Sequence, residues 1–178
     1  VFTYLDGDFE VAKEQIVNFS DDVKTYENTE KDAPIAEMSE KRIFVYFNSG
    51  ELIFDTSSGE VVSYKKDGRE YINTSPLGGS KGFGIGIFRA PIDNDSHGPS
   101  PKWNVKKLSN AKPNFMSLSF ESEDDSVVVL VKYMIASGKK KLYRSDIRYT
   151  IFADGAISVL TNLAREPFSD KDIPRFGV

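Results

Sequence analysis

The chain has 178 residues, 39% of them hydrophobic and 28% charged, which is enough to bury a core and too apolar for a disordered tail. A formal net charge of -4 argues against nucleic acid and anionic membrane as partners, because both require a basic face. Without cysteine there are no disulfides, thiolate chemistry or cysteine-based zinc sites, and no run of about 18 apolar residues is present to span a membrane as a helix.

The chain opens at Val1 with neither a methionine nor a basic and apolar leader. It closes on the strand-like run DIPRFGV, so both ends look cut and the expectation is a piece of a larger protein. Residues 9–18 alternate loosely around Phe9, Val11 and Ile16 and predict a strand. Residues 20–36 are acidic and polar, contain Pro34 and have little periodicity. They read as a linker, with room for a short strand near Val23 to Tyr26.

From Lys41 the pattern changes. RIFVYF is an unbroken β-branched and aromatic run closed by the turn residues Asn48, Ser49 and Gly50. Two short strands follow around Ser57-Ser58-Gly59, and then Asp67-Gly68, a strong hairpin signal. The stretch NTSPLGGSKG (73–82) is a loop. Beyond the glycine-bearing segment, 115–120 alternates, 126–135 is a long buried strand and SGKKK turns the chain. A final hairpin folds about Ala153-Asp154-Gly155. That makes about ten strands, no convincing helix and no internal repeat, which is the pattern of an all-β, antiparallel sandwich or barrel.

The segment GFGIGIFRAPIDNDSHGPSP (82–101) is the dense one. Glycines at 82, 84 and 86 strip one face of a strand of its side chains and invite close packing there. Pro91 cannot donate a ladder hydrogen bond, so the strand ends near Ala90, and Arg89 is the last long side chain before the break. Its guanidinium can grip a carboxylate in fork geometry, with Asp93 and Asp95 nearest in sequence, while Asp and Asn side chains cap turns on their own backbone. Two readings stand together: a corner that satisfies its own polar groups, and a corner that carries the loop Ser96, His97, Gly98 to Pro101 toward a ligand. The glycine spacing is no dinucleotide fingerprint, since no βαβ unit follows, and Asp93-Asn94-Asp95 lacks the further oxygens of a calcium loop. His97 reads as a solvated loop residue or a hydroxyl contact, Trp103 as a core ring or a sugar platform, and Lys139 to Lys141 as a solvated hairpin tip.

Phe88-Arg89-Ala90-Pro91-Ile92-Asp93-Asn94-Asp95 resembles the signature (Phe or Trp)-R-A-P-x-D-N-D of the C-terminal small-chain domain of family 2 β-galactosidases. SGELIFDTSSGEVVSY (49–64) is similar to that domain's opening strand, and Ile173 to Val178 to its (Leu or Ile)-P-R-x-G-(Leu or Val) strand. Trp103 falls where the family often has a tryptophan, and Phe9 to Gln15 resembles the strand closing the preceding immunoglobulin-like domain, with Lys13 in place of a usual aromatic. The resemblance implies a partial β-sandwich of the galactose-mutarotase-like supersandwich type. It implies three parts: 1–19 as the last strand of the preceding domain, 20–36 as linker, and 37–178 as the N-terminal half of the small-chain domain.

The resemblance also implies a retaining hydrolase of terminal β-galactosides as the parent, with Mg²⁺ and Na⁺ in its catalytic domain and no cofactor in this piece. Its partners would be the catalytic TIM barrel and other domains of the parent, the β-galactoside through the parent, and further copies in a homo-oligomer. The compartment is left open between bacterial cytoplasm and periplasm. Retaining glycosidases need two carboxyl groups about 5–5.5 Å apart, one of them with a raised pKa. The family's glutamates have no match here, and Asp93 and Asp95 beside Arg89 would both stay ionised. The implied role is therefore support and an active-site rim loop, carried by Arg89, Asp93, Asn94, Asp95, Ser96, His97 and Gly98, without catalytic residues. Its shorter loop and its glycine at Gly98 depart from long family members. The mutarotases that share the fold use a His and Glu pair, which a lone loop histidine does not reproduce. The alternative is a stand-alone carbohydrate-binding or interaction module.

Overall fold

A computed structural model describes residues 2–6, 9–14, 32–72, 85–89, 108–167 and 173, the first two stretches as backbone strands. Strands β1 (Phe2–Asp6) and β2 (Phe9–Glu14) pair antiparallel, with a register shift between Tyr4 and Leu5. The expected strand at residue 9 is thus β2, and β1 before it was not anticipated. The short strand sought near Val23 and the loop 73–82 lie outside the described residues.

The other nine strands form two antiparallel sheets. One holds β3 (Ile35–Met38), β4 (Arg42–Phe47), β5 (Gly50–Asp55), β6 (Val61–Lys66) and β7 (Arg69–Glu70) in chain order. β3 starts within the last two residues of the stretch read as linker, and its Ala36 packs on the core. The second sheet has the order β11-β10-β9-β8, made of β8 (Lys112–Ser122), β9 (Ser126–Ser137), β10 (Lys140–Phe152) and β11 (Ile157–Arg165). β3 and β8 lie against each other, so the two sheets meet along that side. Among the described residues the only helical ones are Leu108 and Ser109.

Period-2 patterning explains the main core. Ile43, Val45 and Phe47 of β4, Leu52 and Phe54 of β5 and Val61 of β6 face Val127, Val129, Val131 and Tyr133 of β9 and Ile147, Tyr149 and Ile151 of β10. Phe54 and Tyr149 meet edge to face at 5.2 Å. Burial pushes the Tyr149 phenol up to about 12 and raises Tyr133 as well, so both rings stay neutral. β8 does not alternate as simply as its sequence: a bulge between Phe115 and Ser117 leaves Met116 outside and turns Phe115, Leu118 and Phe120 alike onto the core.

Two turn glycines key the sheets together. Gly59, between β5 and β6, has φ 73°, and a Cβ there would lie 2.4 Å from Val131 Cγ1 and 2.8 Å from the Phe115 ring of the opposite sheet. Gly155, between β10 and β11, has φ 83° and would place a Cβ 2.6 Å from the Phe47 ring. Tyr64 Oη donates to the Gly155 carbonyl at 2.9 Å, and Asn48 N to the Ala153 carbonyl at 2.9 Å. The anticipated Asp67-Gly68 hairpin forms between β6 and β7, with φ 52° and 76° as a two-residue loop of the primed kind requires.

Candidate functional site

Arg89 is the sequence-predicted site residue that the described structure contains. It is half-buried and has an interaction partner. Asp93, Asn94, Asp95, Ser96, His97 and Gly98 lie outside the described residues, as does Trp103. How Arg89 is placed can be followed from the residues before it.

Instead of the regular strand expected across 82–90, the described run 85–89 carries a single bridge residue, Gly86. Glycine offers the ladder no side chain to pack and loses more conformational freedom than any other residue, so alternate glycines weaken a strand. Packing holds the run instead. Ile85 touches the main core, and with Ile87 and Phe88 it reaches a second apolar cluster. That cluster consists of Ile87, Leu108, Ile135, Leu142 and Tyr143, with Ala111, Leu163 and Ile173 at its margin.

Ile135 and Tyr143 are register partners on the same face of the sheet as Val131 and Ile147. A bulge between Lys141 and Tyr143 inserts Leu142, which is fully buried in the same cluster. The inner face of the β8–β11 sheet therefore has two covers: the five-stranded sheet over one end, and residues 85–88 with Leu108 over the other. Burying five such side chains is worth on the order of 10 kcal/mol before conformational entropy is subtracted. Arg89 follows directly on this anchor, at the end of the sheet where β9 turns into β10.

That end is basic. Lys139, Lys140 and Lys141 are exposed around Gly138 (φ 59°), as expected of a solvated tip. With Glu166 and Pro167 they line an open depression of about 510 Å³. Glu166 is tied down by its amide, which donates to the Leu142 carbonyl at 2.8 Å, and by Arg144 Nε at 2.8 Å. Between the two covers lies Ser145, register partner of Tyr133, fully buried and with no hydrogen-bond partner for its Oγ.

The perturbed carboxylates lie elsewhere and serve turns. The hydroxyl of Ser57 and the amides of Ser57 (2.8 Å) and Ser58 (3.1 Å) all donate to Asp55 Oδ1, and they hold its carboxyl below the ordinary range against partial burial. Burial opposes the charge on Glu70, but the Ser63 hydroxyl and the amides of Ile72 and Tyr64 outweigh it and lower its pKa. Among the described residues no group of three or more His, Asp or Glu is placed to hold a metal ion.

What the sequence reading missed was the platform. Leu108 and Leu142 gave no local signal, and Ile173 was legible only as the start of a family-like strand, because their meeting depends on a bulge and on a long return of the chain. The glycine run was the available hint that backbone approaches a neighbour there.

The fold and site define a two-sheet antiparallel β-sandwich in which the run leading to Arg89 has its own apolar footing. Residues 48–178 match the family described as the β-galactosidase small chain, and the chain belongs to that family. A β-galactosidase of Actinobacillus pleuropneumoniae is 27% identical over 177 residues, which is 98% of this chain and 17% of that protein. The chain thus spans about a sixth of the length of the curated relative it matches.

Proposed function

We propose that the chain is the supporting part of a family 2 β-galactosidase, a retaining hydrolase of terminal β-galactosides. In this reading residues 1–19 end the preceding domain, 20–36 link, and 37–178 form the first half of the small-chain sandwich. Asp93 to Gly98 form a rim loop beside the active-site pocket of a neighbouring TIM barrel. The barrel supplies the two catalytic carboxyl groups and the Mg²⁺ and Na⁺ sites, and this part adds no cofactor of its own.

The observation that carries the reading is the position of the signature. Ile87 is buried in the second cluster, the partly buried Phe88 packs against it, and Arg89 follows, inside the span that matches the small-chain family. A side chain locked by packing positions the loop that leaves it, which a rim beside a reacting sugar requires. Loop amides donating to the Asp93 and Asp95 carboxylates would hold it open to the ligand.

The test has two arms. The purified 178-residue chain should show no turnover of a chromogenic β-galactoside, and robust turnover would overturn the placement of the chemistry. In the parent enzyme, Asp95→Ala should raise KM several-fold with the fold intact. An unchanged KM would remove the loop from the rim.

A further inference from the structure

We infer that Leu142, the extra residue of the β10 bulge, is a positioning residue for the reaction of the parent enzyme, on the reading that Asp93 to Gly98 form the rim of its pocket. Those rim residues fall in sequence between Arg89 and Leu108. The described residues on both sides of that stretch meet in one place. Ile87 and Phe88 before it and Leu108 and Ala111 after it all belong to the smaller apolar cluster. Both ends are therefore held by the same few side chains, and a shift in that cluster moves them together.

Three of the five buried members of the cluster come from the sheet: Ile135 of β9, and Leu142 and Tyr143 of β10. Ile135 and Tyr143 are register partners, as strand alternation requires. Leu142 is not paired. The bulge between Lys141 and Tyr143 brings two consecutive side chains into one cluster, which a regular strand would not do. The Leu142 side chain has no exposed surface. Its backbone is fixed as well: the Glu166 amide donates to the Leu142 carbonyl at 2.8 Å, and Arg144 Nε donates to the Glu166 carboxylate at 2.8 Å.

The two ends depend on this cluster unequally. Leu108 opens a turn, closed by the Ala111 amide donating to the Leu108 carbonyl at 3.1 Å, which runs straight into β8 at Lys112. The run 85–89 has no such frame and carries a single bridge residue, Gly86. Ile85 ties its start to the main core as well, so its far end, Ile87 and Phe88, is the part that the smaller cluster alone places. In a close-packed interior the volume filled by Leu142 thus decides where Arg89 begins.

The test is made in the parent enzyme. Leu142→Ala leaves a cavity that its neighbours fill only in part. It should raise KM for a chromogenic β-galactoside at least about threefold and leave kcat within about twofold, because the groups that do the chemistry are untouched. Leu142→Met, which keeps the volume, should restore KM. Ile151→Ala is the control, a fully buried residue of the same strand that lies in the main core. It should lower the melting temperature comparably and leave KM alone. Hydrogen exchange is the second readout: in Leu142→Ala, protection should fall at both 85–88 and 108–111 and persist over 43–54. Leu142→Val carries the same comparison if the alanine variant does not fold. An unchanged KM in Leu142→Ala, an equal KM shift in Ile151→Ala, or protection lost at one end only would overturn the assignment. Asp95→Ala separates the two readings. A KM shift there with none at Leu142 removes the positioning role alone, whereas no shift at either position removes the rim with it.

Discussion

Replacing Gly59 by alanine should cost distinctly more than the same change at Gly68, although the two glycines have nearly the same backbone angle, φ 73° and 76°. A left-handed conformation costs a residue with a Cβ about 1–2 kcal/mol, and both variants carry that term. At Gly68 it is the whole effect, because a Cβ there meets nothing within 4 Å. At Gly59 the new carbon would sit 2.4 Å from Val131 Cγ1 and 2.8 Å from the Phe115 ring. Val131 lies in the middle of β9 with no exposed surface, so it has no free direction in which to yield. Overpacking of that kind adds about 1–3 kcal/mol, which brings Gly59→Ala to about 2–5 kcal/mol. For a chain of this size each kcal/mol moves the melting temperature by about 2–4 °C.

Urea unfolding followed by circular dichroism measures both variants. Val131→Ala in the Gly59→Ala background removes the colliding methyl group, so the double variant should fall short of the sum of the single losses by about 1–2 kcal/mol. If Gly59→Ala and Gly68→Ala agree within about 0.5 kcal/mol, or if the cycle is additive, the two sheets are not keyed at this turn and the packing argument fails.

Ser145→Ala removes a buried hydroxyl that has no partner. It should leave stability unchanged or raise it by up to about 1 kcal/mol, whereas a loss larger than that would mean the hydroxyl is satisfied in solution. Asp55 has a folded pKa below its ordinary value, so its ionised form favours the folded state. That contribution is complete above the unfolded value near pH 4 and disappears as pH falls through the lower folded one. Asp55→Asn should therefore flatten the acid side of the stability profile below about pH 4, by less than about 1 kcal/mol because the group is largely solvated. An identical acid limb in both proteins would contradict the assignment.

The strands were legible because their burial is periodic. RIFVYF begins and ends where β4 does, and SVVVLVKYMI lies within β9. Asp67-Gly68 announced its hairpin by composition, since few residue pairs tolerate two positive φ angles in succession. The bulges in β8 and β10 were not legible. Adding one residue to a strand leaves the composition alone and changes only which side chains face the core. Met116 looks as apolar as Phe115 in sequence, yet one is exposed and the other packed.

The glycine run illustrates the opposite failure. Its alternation suggested a strand, but the described part is fastened by Ile85, Ile87 and Phe88 rather than by a backbone ladder. The candidate site was readable as a motif, Phe88 to Asp95. Its footing was not, because Leu108, Leu142 and Tyr143 come to Phe88 from parts of the chain that share no local pattern with it.

The divided cover of the β8–β11 sheet bears on how the run before Arg89 resists a pull. Displacing Ile87 and Phe88 would uncover only the smaller cluster, but Ile85 packs on both clusters, so lifting the whole of 85–88 would open part of the main core as well. The run is thus pinned at two depths, and a pull on the chain beyond Arg89 must break the second before it frees the first residue.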